Sequence, residues 1–229
     1  TCKNIKWIAP VVNWFVDSDV AGTSNIVPKT EFRADPNNVK YGYWESYPSL
    51  WSCNIWNRRN APQTKIIPDD NMMTYGGTPS DDSMRRYLSY CKNTLGYNIM
   101  FYPMLLVDQI TPTLKPWRGR IKPRNTADVN SFFNRQYGYN YYIMHYARLT
   151  AEWIDAFVIG SEMIGLTSFY EQNGDTRTFP AVAEFKKLAK QVKDYFKSIG
   201  KGHIKVIYAA DWSEYHHTDD GWFNIDELW

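Results

Sequence analysis

Three apolar runs in this chain end in a carboxylate: 99–108 closes on Asp108, 156–162 on Glu162 and 204–211 on Asp211. Carboxyl groups brought to one rim are equipment for proton transfer, one giving a proton while another stays ionised. A strand that delivers an acid at its C-terminal end puts it where α/β barrels keep their chemistry. An acid at a strand end also suits turns and helix N-caps, so each has a structural reading of its own. Recurrence at three strand ends is what points to a site, and Glu162, at the end of the most continuously apolar run, is its leading candidate.

Other side chains gather near these acids in the sequence. Arg118 and Arg120 flank Gly119 in the loop after Asp108. Either guanidinium can favour a neighbouring carboxylate or donate to sugar hydroxyls, and the structural alternative is pairing with an acid such as Asp81 or Asp108. Trp117 and Trp212 stand beside the acids as sugar-stacking platforms or as rim packing. Glu214 follows Asp211 by three positions, a spacing for local capping or pairing as well as for a ligand contact. His216-His217 reads as a solvated turn rather than a metal pair, since adjacent imidazoles do not readily face one ion. His145 lies on an aromatic-rich helix and is given no chemistry.

Strands and helices must position these groups. The segment 11–15 reads as a first strand and 51–56 as a second. Ser80 caps a helix carrying Met84, Tyr87, Leu88, Cys91 and Leu95 on one face, with Gly96 ending it. Asp128 caps a long helix through Val129, Phe132, Phe133, Met144 and Leu149, with Gly138 weakening its middle. A third helix starts near Pro180, repeats Val182, Phe185, Leu188, Val192 and Phe196, and stops at Gly200. Helix alternating with strand over short connections predicts right-handed βαβ units and a parallel sheet. A doubly wound sheet is the rival, but no Gly-rich phosphate turn is present, and Gly76-Gly77 lacks the required frame. A nucleotide cofactor is therefore not expected.

Composition sets further bounds. A chain of 229 residues suits one α/β domain over 1–229, and no internal boundary is evident. The net charge of +2 is interspersed, which speaks against nucleic acid and anionic membranes as partners. Cys2, Cys53 and Cys91 are odd in number and widely spaced, supporting neither a disulfide framework nor a zinc site. Aromatic residues make up 17% of the chain, suited to stacking on sugars and to filling a core. No run approaches a membrane span and the first residues lack a secretory pattern, so synthesis in the cytoplasm without insertion is expected. A start at Thr1 and an end at Trp229 just after a helix-like segment suggest a piece of a longer protein.

Seven motifs carry a family resemblance: Trp14-Phe15, Tyr75-Gly76-Gly77-Thr78-Pro79-Ser80-Asp81, Phe101-Tyr102-Pro103, Pro116-Trp117-Arg118-Gly119-Arg120-Ile121, His145-Tyr146-Ala147-Arg148-Leu149, Ile159-Gly160-Ser161-Glu162, and the run from Tyr208 to Tyr215. In order and number the chain resembles the glycoside-hydrolase TIM-barrel-like domain of gene transfer agent and phage tail proteins, the large tail-tip or hub component. More distantly it is similar to the clan of retaining β-glycosidases that includes certain β-mannanases. The resemblance implies a TIM (β/α) barrel-like fold, incomplete here because five strands are counted, with the last three beyond Trp229. It implies Glu162 as the general acid/base at the end of a fourth strand, although the clan's preceding Asn is Ser161 here. The clan's nucleophile, a Glu on the seventh strand, would then lie outside this chain. Retaining hydrolysis needs two carboxyls about 5–5.5 Å apart, so Glu162 alone would not suffice. Inverting chemistry with Asp211 at a wider separation is an alternative. The remaining implications are sugar-orienting roles for Asp108, Trp117, Arg118, Arg120, Asp211, Trp212 and Glu214, no metal or organic cofactor, a polysaccharide or peptidoglycan substrate, and other tail proteins as partners. A homodimer would cover the edges of an open barrel. The alternative class is a non-catalytic receptor-binding or structural module.

Overall fold

The computed structural model describes residues 4–30, 51–63, 76–108, 116–215 and 225–228. In chain order its strands and helices begin with β1 (Trp7–Ile8), β2 (Val11–Val16), β3 (Ile26–Val27), β4 (Ser52–Cys53), β5 (Trp56–Asn57), α1 (Asp81–Ser89) and β6 (Asn98–Val107). They continue with α2 (Thr126–Asn134), α3 (Tyr139–Thr150), β7 (Ala156–Ser161), α4 (Ile164–Thr167), β8 (Glu171–Asn173), β9 (Thr176–Thr178), α5 (Pro180–Ser198), β10 (Lys205–Ala209) and α6 (Trp212–Tyr215).

Pro10 has no amide hydrogen for a sheet ladder, and the first strand is split around it. Both pieces run parallel to β6: Trp7 lies against Asn98, and Val11 to Val16 lie against Tyr102 to Val107. The break is bridged where Tyr102 N donates to the Pro10 carbonyl at 3.0 Å. From there the sheet runs β2, β6, β7, β10, all parallel and in chain order. A doubly wound sheet would reverse its order at some point, whereas addition always on the same side is how a barrel grows. Among the described residues the sheet is not closed, and the outer edge of β2 pairs antiparallel with β3 at Phe15 and Val16.

One face of this sheet is packed by helices through large rings. Trp14 on β2 meets Tyr142 of α3 at 4.9 Å and donates through its indole to Tyr146 at 2.9 Å. Phe101 stacks on Phe157 across the β6–β7 pair, and Phe157 meets Phe196 of α5 at 5.8 Å. Burial of such rings dominates core energetics, at roughly 25 cal/mol per Å² of apolar surface removed from water. No helix among the described residues is long and apolar enough to cross a membrane.

The strand ending at Asp108, the strand ending at Glu162 and the helix from Pro180 to its Gly200 stop, where φ is +74°, stand as the sequence predicts. Four expectations are corrected. The segment 51–56 is not a barrel strand but a hairpin, β4 against β5, in a small sheet of its own. Since β2 pairs directly with β6, Glu162 ends the third parallel strand of the described sheet rather than the fourth. The helix expected from Asp128 to Leu149 is two helices. Asn125 caps α2, its side chain accepting from Asp128 N at 2.9 Å, and α3 starts afresh after Gly138. A Cβ at Gly138 would lie 2.8 Å from the Phe132 carbonyl oxygen, which is why the tight turn takes glycine. On the first helix Ser80 is the cap, accepting from Ser83 N, but Tyr87 and Leu95 are exposed and only Met84, Leu88 and Cys91 are buried. Tyr90–Thr94 form a π-helical turn after α1, which changes the phase of its last residues.

Candidate active site at the strand ends

An irregularity in β7 decides where its last residues point. Ile207 pairs with Val158, then Tyr208 pairs with Gly160, so Ile159 is an extra residue. A bulge of this kind re-aims the side chains that follow it. Phe157 packs on α5, and a Cβ at Gly160 would lie 2.7 Å from Phe185 of the same helix. Plain alternation would put residues 157 and 160 on opposite faces. The bulge puts both toward the helices and leaves Ser161 to turn the other way. The chain then swings through Glu162 at φ 48°, a left-handed conformation that is uncommon for a residue with a side chain and recurs at functional sites.

Two donors meet Glu162. The Trp117 indole nitrogen donates to Oε2 at 2.9 Å, and an Arg118 guanidinium nitrogen lies 3.0 Å from the same oxygen. Arg118 is buried and fixed from behind, its Nε donating at 2.7 Å to both the carbonyl and the hydroxyl oxygen of Ser161. These residues form a short 3₁₀ turn, Arg118–Arg120, held to the end of β6 by pairing of Trp117 with Leu106. The Glu162 side chain keeps 37% of its surface exposed, and Trp117 is exposed as well. The result is an open carboxylate at the N–H edge of an indole, with a guanidinium fixed against the same oxygen. Both partners only donate, so a proton for Glu162 to pass on has to arrive from solvent or ligand.

The remaining candidates are placed differently. Asp108 is fully buried and ion-paired with Lys29, itself buried. Arg120 pairs with Asp19 at 3.0 Å. Asp211 and Glu214 form a reciprocal cap at the start of α6: Asp211 Oδ2 accepts from Ser213 N at 3.2 Å, and Glu214 Oε2 accepts from Asp211 N at 2.7 Å. The other Glu214 oxygen accepts from Thr167 and Tyr208, both at 2.7 Å. Burial pushes the Glu214 carboxyl above its ordinary range, against the pull of these donors. Trp212, at 60% exposure, projects from the same turn. The structure thus joins Trp117, Arg118 and Glu162 directly, and it engages Asp108, Arg120, Asp211 and Glu214 in other contacts. Lys29 escaped the sequence reading, and so did the contact of Ser161 with Arg118. Ser161 receives Arg118 through both its carbonyl and its hydroxyl oxygen. His216 and His217 lie outside the described residues.

Residues 137–229 match the GTA TIM-barrel-like domain. That stretch holds α3, β7, α5 and β10, and with them the motifs around His145, Glu162 and Asp211; the motifs around Trp14, Gly76, Phe101 and Trp117 precede it. The fold is α/β and TIM-barrel-like, with a parallel sheet that is open among the described residues. Among solved structures, the chain is similar to a family 113 β-1,4-mannanase, with TM-score 0.46 and 14% identity over 91% of this chain and 46% of that one. It is also similar to the family 113 β-mannanase of Alicyclobacillus acidocaldarius solved with ManMIm, with TM-score 0.41 and 16% identity over 86% of this chain and 58% of that one. The chain therefore spans about half the length of these structures. No curated protein matches it in sequence.

Proposed function

We propose that this chain supplies part of a glycoside-hydrolase-like site in a phage or gene-transfer-agent tail protein, acting on a cell-envelope polysaccharide or peptidoglycan. The observation that carries this reading is the exposed Glu162 carboxylate between the Trp117 indole and the anchored Arg118. A ring beside an acid suits a sugar face stacked over a glycosidic oxygen. Glu162 acts as general acid/base, receiving its proton from the open side and delivering it to the leaving oxygen. Trp117 orients the carboxyl and packs on the sugar, and Trp212 offers a second exposed ring. Hydrolysis also needs a second carboxylate. Among the described residues Asp108 is buried against Lys29, and Asp211 with Glu214 caps α6.

A second reading is a receptor-binding module of the tail tip, which keeps the groove without bond cleavage. It is favoured by the two donors on Glu162, which complement an ionised carboxylate that accepts from sugar hydroxyls rather than an acid that releases a proton.

Release of soluble fragments from purified envelope glycans by the intact protein, with Glu162→Gln run in parallel, tests both. Release by the wild type and not by the variant supports hydrolysis through Glu162. Equal release by both removes Glu162 from the chemistry. Binding without release, over several envelope preparations, supports the receptor module.

A further inference from the structure

Away from the strand-end site, three side chains with metal-ligating atoms converge where β4, α1 and α3 meet. His145 Nε2 lies 3.0 Å from Asp81 Oδ1 and 4.0 Å from Cys53 Sγ, and one ligand atom from each residue lies within 4.8 Å of the others. Each comes from a different element: Cys53 from the hairpin, Asp81 from the first turn of α1, His145 from the middle of α3. Cys53 is fully buried and the other two side chains nearly so. We propose that Cys53 Sγ, Asp81 Oδ1 and His145 Nε2 bind a zinc ion.

The surrounding contacts have the form of a ligand shell. Asp81 accepts the backbone N–H of Asn54 at 2.9 Å through Oδ2, which leaves Oδ1 for the ion. His145 Nδ1 meets the Asn54 side-chain amide at 3.0 Å, and Tyr141 donates to the other end of that amide at 2.7 Å. A ligating histidine ordinarily donates its second ring N–H to such a partner, fixing tautomer and orientation; here the amide presents its nitrogen to Nδ1, so this role needs the amide reversed. Behind Cys53, the Tyr146 hydroxyl lies 3.7 Å from the sulfur and is itself fixed by the Trp14 indole. Thiolate, imidazole and carboxylate suit zinc, whereas calcium and magnesium take oxygen shells.

The geometry is close to what zinc requires. Bonds of roughly 2.0–2.3 Å in a tetrahedron set neighbouring ligand atoms about 3.4–3.6 Å apart. The nitrogen–oxygen and nitrogen–sulfur distances here, 3.0 and 4.0 Å, bracket that range, and all three ligand atoms lie within 4.8 Å of one another, so the sulfur closes on the other two by up to about 1 Å. On binding, the Cys53 thiol proton leaves to solvent and the imidazole proton resides on Nδ1. The Asn54 amide turns over to accept that proton's hydrogen bond and donates to the Tyr141 oxygen instead. The fourth position goes to water. The ion would pin the hairpin to two helices, and the two-residue strands of that hairpin are too short to be stable alone.

The test uses the intact protein stripped with a chelator and titrated with cobalt(II), then zinc(II). The expected result is one cobalt per chain, with a thiolate-to-metal charge-transfer band and tetrahedral d–d absorption, both displaced by zinc. Cys53→Ser abolishes the band, and Asn54→Ala weakens zinc binding about 10–100-fold. Absence of the band, or a band unchanged in Cys53→Ser, overturns the proposal. Should Cys53→Ser fail to fold, zinc-edge X-ray absorption of the wild type decides: one sulfur at about 2.3 Å with nitrogen and oxygen at about 2.0–2.2 Å supports the site, and a shell without sulfur overturns it.

Discussion

The indole of Trp117 donates to the carboxylate of Glu162 at 2.9 Å, across 45 positions of chain. Arg118, the next residue, reaches the same oxygen but is built into the fold through Ser161. The two donors therefore separate orientation from stability. Trp117→Phe is expected to change unfolding free energy by less than about 1 kcal/mol, because the contact is solvent-exposed, while glycan binding falls. Arg118→Met is expected to cost about 2–3 kcal/mol, mainly through the buried Ser161 oxygens it leaves unpaired. Urea unfolding beside a glycan-binding assay checks both, and equal stability losses would contradict the division.

Gly165, in α4, lies directly against the turn that carries Arg118. A Cβ there would sit 2.5 Å from the Ile121 carbonyl oxygen and 2.6 Å from that of Gly119. Backbone cannot swing aside as a side chain can, so Gly165→Ala should destabilise by about 1–3 kcal/mol and displace the turn. Tryptophan fluorescence of the folded variant reports the second effect through Trp117, and an unshifted spectrum at full stability would refute it.

Lys29 and Asp108 form a buried ion pair at the end of β6. Removing one charge of such a pair leaves the other stranded, so Lys29→Met is expected to cost about 3–5 kcal/mol. Lys29→Met with Asp108→Leu should recover much of that loss. A double-mutant cycle in denaturant measures the coupling, and additive losses would mean that the pair is not what burial suggests.

Burial lifts the Glu214 carboxyl above its ordinary value of 4.5. A raised folded value means that the folded chain holds the proton more tightly. The associated stability is complete below 4.5 and is lost as pH rises through the folded value. Glu214→Gln lacks this dependence and should cost about 1–3 kcal/mol in acid, since one of its three donors then faces an amide N–H. The gap between wild type and variant is expected to narrow as pH rises. Unfolding midpoints across the acid range test the sign, and a widening gap would reverse it.

The central strands and α5 were legible because their signals are local. A run such as 156–161 is apolar throughout, and α5 repeats its apolar residues at helical spacing between a proline and a glycine. The hairpin at 52–57 was not, because each of its strands is only two residues long, one polar and one apolar, too short to show a period, and only Asn54, at φ 56°, marks the turn. The break between α2 and α3 was misread for a related reason: the apolar repeat continues through a turn that only the crowding at Gly138 reveals. For the site, the D-x-x-E spacing of Asp211 and Glu214 carried its capping meaning openly. The meetings of Glu162 with Trp117 and of His145 with Cys53 join distant segments, and nothing in either segment alone encodes them.

Strand order in the sheet follows chain order from β2 through β6 and β7 to β10. Each later strand therefore docks on an edge whose residues have already left the ribosome, and none has to be inserted between two established neighbours. Such a sheet can be laid down during synthesis from its N-terminal side, with α5 and β10 joining after β7. The slowest closure is the earliest one, because β6 must find β2 across the longest intervening stretch of chain, and every later strand inherits a finished template.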